Sequence, residues 1–175
     1  ATMPGALGHA MFTCTGSEAN DLALRIARAA TGGMGVIVTE NAYHGVTLSV
    51  AEFSPSLGAG VPLGAHVRTV PAPDAARLGP NLGQDVGAGF AAAVQAAIDD
   101  LLRHGIKPCA LIVDTVFSSD GVFADPAGFL APAVAAIRAA GGLFIADEVQ
   151  PGFGRTGAGM WGFARHGVVP DMVSL

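Results

Sequence analysis

Three short apolar runs in this sequence do not alternate: GVIVTE (35–40), CALIVD (109–114) and LFIAD (143–147). A strand with one wet face alternates apolar and polar side chains, whereas a strand covered on both faces has no reason to. HVRTV (66–70) reads as a further short strand. Between the strands lie segments of helical periodicity. SEANDLALRIARAA places Leu22, Ile26 and Ala29 on one face, with Gly32-Gly33 as its stop. A helix over 86–104 carries Val86, Phe90, Val94, Ile98, Leu101 and Leu102, and Gly105 follows as its C-terminal stop. A helix over 127–140 turns Phe129, Leu130, Val134 and Ile137 inward and ends at Gly141-Gly142. Buried strands joined by crossover helices predict an α/β fold, a mostly parallel sheet with helices on both faces. The Pro-, Gly- and Asn-rich stretch 71–83 reads as a surface connection.

The 175 residues suffice for about one domain, but only 13% are charged, against roughly a quarter in ordinary soluble proteins. Much of the surface is therefore expected to lie under more chain or a second subunit. ATMPGALGHAMF lacks the features of a signal peptide, and GVVPDMVSL enters a new strand near Met172. Residues 1–175 are accordingly expected to be an incomplete part of one domain. No apolar run reaches the roughly 18 residues of a membrane span. A net charge of −5 without a basic stripe argues against a nucleic-acid partner. Cys14 and Cys109 match no metal or redox spacing and read as buried free thiols, with the cytoplasm as the default compartment. The five histidines are scattered, so no metal site is expected.

Ligands in an open parallel sheet bind beyond the carboxyl ends of the strands, and Asp114, Asp147 and Glu148 stand at such ends. Asp147 is followed by a loop rich in glycine (Gly152, Gly154, Gly157, Gly159), which leaves no helix for it to cap. A carboxylate at the end of an apolar strand calls for a cation or a proton donor. In TCTGSEAND, Gly16 and Ser17 precede the first helix, whose free amides and dipole favour an anion such as phosphate. Thr15-Gly16-Ser17-Glu18 also reads as a capping box, which needs no ligand. Tyr43 and His44 in NAYHGVT could stack on a flat ring or serve only to shape the loop.

Taken together and in this order, TGSEAN, YHG, ADEVQPGFGRTG and HGVVPD resemble the class III pyridoxal-phosphate aminotransferases of fold type I, over nearly the whole chain. The resemblance implies that residues 1–175 are part of the cofactor-binding large domain. It implies transfer of an amino group between an amino donor and a 2-oxo acid or aldehyde acceptor, with pyridoxal 5'-phosphate as cofactor and a homodimeric whole protein. Gly16 and Ser17 match the phosphate cup, and Tyr43 the aromatic stacked on the cofactor ring, with His44 and Gly45 shaping its turn. Asp147 matches the carboxylate paired with the pyridine nitrogen. Val149 matches the apolar residue on the other ring face, and Gln150 the residue near the phenolic oxygen.

Three departures stand out. Asp114-Thr115 replaces the usual Glu-Pro, Pro151 replaces the usual Thr, and the Schiff-base lysine is not among these residues. Lys107, the one lysine, precedes CALIVD at the amino end of the sheet, about 15–20 Å from the ligand edge for a strand of ordinary length. The 175 residues alone are therefore not expected to turn over. Arg155 is the one arginine near the site, but the sequence does not assign it the substrate carboxylate. Two alternatives share these motifs: a phospho-lyase of the same superfamily, and a non-catalytic piece that retains cofactor or serves assembly. A nucleotide-binding module is disfavoured, since the glycines of GMGVIV come before the strand.

Overall fold

The computed structural model describes residues 2–74 and 85–175. Apart from residues 71–74, the expected connection 71–83 lies outside the described residues. Five strands, β1 (Gly35–Thr39), β2 (Val67–Val70), β3 (Pro108–Asp114), β4 (Leu143–Asp147) and β5 (Met172–Ser174), form one sheet in the order β2-β1-β3-β4-β5. Every pairing is parallel. Alternate side chains go to opposite faces. Ile37, Leu111, Val113, Phe144 and Ala146 pack with α3 (Val86–Arg103) and α4 (Ala131–Ala139). Val36, Val38, Ala110, Ile112 and Ile145 pack with α1 (Gly16–Thr31) and the short α2 (Leu48–Ala51). Both layers are apolar, which is why these strands do not alternate.

Each long helix has a chemical start and stop. Thr15 caps α1 in a full capping box, and Gly32 ends it in the left-handed conformation at φ 66°. The Asp85 carboxylate caps α3 by accepting from the Ala88 amide. Gly105, at φ 72°, turns the chain out of α3.

Three details differ from the sequence reading. The face of α1 that meets the sheet is Asn20, Ala23, Leu24 and Ala27, while Ile26 and Ala29 are exposed and Leu22 is half-buried. This orientation brings Asn20 to the carboxyl edge of β4. Apolar spacing does not register a face on which Leu24 is the one bulky side chain, beside two alanines and an asparagine. Leu102 is exposed, because it lies one residue round from the buried Leu101. And α4 starts at Ala131, with Pro132 in its first turn where a missing amide costs nothing. Phe129 and Leu130 are buried, as expected, but from the turn before the helix.

Cys109 is buried, whereas Cys14 is exposed, since the segment before α1 runs along the surface; both are free thiols. Burial pushes the Cys109 thiol up. Among the described residues no helix is long and apolar enough to cross a membrane.

The strand order reverses between β1 and β3, and a crevice opens beyond the carboxyl ends at such a point.

Candidate active site

Three segments converge on that crevice: the start of α1, the loop after β1 and the end of β4. In α1, the Glu18 amide donates to the Thr15 hydroxyl at 3.1 Å, and the Glu18 carboxylate accepts from the amides of Cys14 and Thr15 at 2.7 and 3.1 Å. The capping box is real. It leaves the amides of Gly16 and Ser17 without an acceptor among the described residues, so capping and an anion site are compatible here.

The loop after β1 is stitched to this helix start. Ser17 Oγ accepts from the Val46 amide at 3.1 Å, and Gly45, at φ 132°, passes so close that a Cβ there would stand 2.7 Å from Ser17 Cα. A second close approach joins α1 to the end of β4, where a Cβ on Gly16 would meet Val149 Cγ2 at 2.9 Å. Gly45→Ala combines a disfavoured backbone with an overlap against main chain. We expect it to lower the unfolding free energy by about 2–4 kcal/mol, read from denaturant midpoints; a change below about 0.5 kcal/mol would show that the two segments are not held together at this point.

Asp147 is 5% exposed and is held by three groups. Its Oδ2 receives Asn20 Nδ2 at 2.9 Å and lies 2.8 Å from His44 Nδ1, and its Oδ1 accepts from the Val149 amide at 3.1 Å. Asn20 Nδ2 also donates to the His44 carbonyl at 2.8 Å, and the His44 amide donates to Ser54 Oγ at 3.1 Å. No lysine or arginine pairs with Asp147 among the described residues. Asn20 Oδ1 and His44 Nε2 are buried without a partner.

Gly16, Ser17, Tyr43, His44, Asp147, Val149 and Gln150, the seven residues singled out from the sequence, all line one pocket of about 170 Å³. Tyr43 and Val149 are 43% and 40% exposed, apolar surface available to a flat ligand. Asn20, Gly45 and Asp114 complete the lining. Asn20 went unnamed in the sequence although TGSEAN contains it; its position four residues after Gly16 puts it on the same side of the helix. Asp114 stands beside Asp147 in register on the neighbouring strand. Burial raises its carboxyl above the ordinary value and the Asp147 charge adds to this, while the Ser118 hydroxyl and the amides of Val116 and Ser118 oppose it.

Glu148 has a different task. It is fully buried and accepts from the Thr115 hydroxyl at 2.6 Å and from the amides of Gly162 and Phe163 at 2.7 and 2.8 Å. Asp120 fastens the loop after β1 from outside, accepting from Thr39 Oγ1 at 2.6 Å and the Asn41 amide at 3.1 Å. Burial raises both acids. Lys107 is exposed before β3, at the opposite edge of the sheet, its Nζ donating to the Thr31 carbonyl at 2.5 Å. Among the described residues no three His, Cys, Asp or Glu side chains are grouped to hold a metal ion.

The family described as "Aminotransferase class-III" matches residues 1–175. The chain belongs to the class III aminotransferases. An "Alanine--glyoxylate aminotransferase 2-like" protein of Drosophila melanogaster is 38% identical over 182 residues, covering 99% of this chain and 36% of the fly protein. An "Ethanolamine-phosphate phospho-lyase homolog 1" of Caenorhabditis elegans is 33% identical over 189 residues, covering 99% and 40%. A solved phospholyase from Arthrobacter, in complex with phosphoethanolamine, superposes with a TM-score of 0.89 at 44% identity, covering 98% of this chain and 41% of that one. This class III chain thus spans about two fifths of the length of the relatives it matches.

Proposed function

We propose that the whole protein of which these residues form part binds pyridoxal 5'-phosphate in this pocket and transfers an amino group from a small amino donor to a carbonyl acceptor. The observation that carries this reading is Asp147, a buried carboxylate with three hydrogen-bonding neighbours and, among the described residues, no lysine or arginine paired with it, in one pocket with the start of a helix. The class III family is pyridoxal-phosphate-dependent, and the residues present fit that cofactor. The amides of Gly16 and Ser17 would take its phosphate. Tyr43 and Val149 would bracket the ring, and Gln150 would stand by the phenolic oxygen. Asp147 would hold a proton on the ring nitrogen, with Asn20 and His44 fixing the carboxylate so that it cannot turn away. Bound there, the cofactor supplies a protonated ring that stabilises negative charge at the carbon bearing the substrate's amino group.

A second reading, elimination of phosphate from a phosphorylated amine, is favoured by the 44% identity to the Arthrobacter phospholyase. Cofactor-holding residues serve both reactions alike. Incubating the full-length protein with pyridoxal phosphate, 2-aminoethyl phosphate and a 2-oxo acid, then assaying new amino acid and free phosphate separately, decides between them. Neither product, with no cofactor retained through dialysis, would remove both readings.

We further propose a homodimer for the full-length protein, supported by Phe12, Val46 and Leu48, exposed on segments next to the pocket, and a cytoplasmic setting, supported by the two free thiols. The 175 residues alone are proposed to be incompetent, since their one lysine stands at the far edge of the sheet. The isolated chain, given pyridoxal phosphate and an amino donor, is expected to release no keto product beyond a blank without protein; sustained turnover contradicts this.

A further inference from the structure

A second cavity, of about 340 Å³, adjoins the pocket, and Gln150 lines both. Its two walls are the loop after β3, with Val116, Val122 and Asp125, and the loop after β4, with Arg155 and Thr156. Arg165, also on its lining, is neutralised: it pairs with Asp125 through Nη2 and donates Nε to the Ala124 carbonyl at 2.9 Å. Arg155 is not. Its Nη1 reaches the carbonyls of Val149, Gln150 and Gly152 at 3.2, 3.4 and 3.1 Å, and no carboxylate pairs with it among the described residues. Carbonyls orient a guanidinium without cancelling its charge, so the crevice keeps one positive charge and the planar donors suited to an oxyanion.

The feet of the two walls are tied together. Thr115 begins one and Glu148 precedes the other; both are fully buried, and the hydroxyl of the first donates to the carboxylate of the second at 2.6 Å. Thr115 is one of the positions where the sequence departs from the pattern it resembles, and the proline usual there has no hydroxyl to offer.

We propose that this crevice is the subsite for an oxyanion carried by the amino substrate, a phosphate or a carboxylate, with Arg155 as its charge partner and the Thr115–Glu148 hydrogen bond setting its width. The inference rests on reading the adjoining pocket as the cofactor site. The test uses the full-length, cofactor-loaded protein and three amines: 2-aminoethyl phosphate, 3-aminopropanoate and propylamine. By calorimetry, at least one anionic amine is expected to bind about tenfold or more tighter than propylamine, and Arg155→Gln to erase most of that difference. Which anionic amine shows it tells phosphate from carboxylate. Thr115→Val is expected to raise KM for that amine about fivefold with little change in kcat, and Thr115→Ser, which keeps the hydroxyl, to restore it.

Equal weakening of all three amines in Arg155→Gln, or a Thr115→Ser variant that behaves like Thr115→Val, overturns the proposal. Should Arg155→Gln not fold, inorganic phosphate and acetate are tried on the wild type. One of them is expected to compete with the anionic amine and not with propylamine; inhibition of both alike, or of neither, overturns it. A protein that retains no pyridoxal phosphate refutes the proposed function instead, and calorimetry with the three amines still judges the crevice.

Discussion

Replacing Asp147 by Asn in the full-length protein is expected to lower kcat/KM by between about 100-fold and a few thousand-fold. Taking one member from a buried charged pair costs about 3–5 kcal/mol, and each 1.36 kcal/mol or so is a factor of ten in rate. The substitution keeps the side chain's shape but removes the charge that would hold a proton on the ring nitrogen. It also turns an NH2 either toward the Val149 amide or toward both Asn20 and His44, which share Oδ2. Some loss of stability is therefore expected too, and the two effects separate when kcat/KM is measured well below the melting temperature. A variant within tenfold of the wild type would mean that the carboxylate is structural and the cofactor assignment wrong.

Glu148→Leu is expected to have the largest effect on stability, lowering the unfolding free energy by about 3–6 kcal/mol. Three donors, the Thr115 hydroxyl and the amides of Gly162 and Phe163, lose their one acceptor in a place closed to water. Each buried orphan costs about 1–3 kcal/mol, against a total stability of roughly 5–15 kcal/mol for a domain. The chemically milder Glu148→Gln carries a pH signature. Burial is the largest influence on this carboxyl and raises it above its ordinary 4.5, with the three donors opposing. A raised carboxyl binds its proton more tightly in the folded chain, so its contribution is fully present below 4.5 and is lost as pH rises through the folded value. The wild type should therefore gain on the Gln variant as pH falls from 7 toward 4.5. Urea midpoints of the two proteins across that interval check it; parallel curves would show that Glu148 is not strained by burial.

The strands and the position of Asp147 at the pocket were legible for the same reason. A run such as LFIAD has one arrangement that buries every apolar side chain, between two layers, and its terminal acid then has to emerge at the ligand edge. What could not be read was orientation. Residues 147 and 148 lie on opposite faces by strand alternation: Asp147 follows Ile145 toward α1, whereas Glu148 follows Ala146 toward the layer of α3 and α4. One acid therefore meets Asn20 and His44, and the other meets Thr115 and Phe163. Their adjacency in the sequence does not say which acid goes to which face. The same gap hid Asn20, because the side of α1 that faces the sheet carries one bulky side chain, Leu24, among alanines and a polar contact. It also concealed the crevice at Arg155, whose walls come from loops about 30 residues apart and whose charge balance depends on which arginine finds Asp125.

The two side-chain contacts that fix Asp147 join residues 127 and 103 positions apart. Contacts of that separation form late, after the loop-closure cost of the intervening chain has been met. A partly folded polypeptide, even with every helix in place, would have nothing with which to grip a cofactor. Binding then acts on the completed architecture alone: a ligand at a thousand times its dissociation constant would add about 4 kcal/mol, and amide hydrogen exchange should slow together in α1, β1 and β4 rather than in one loop.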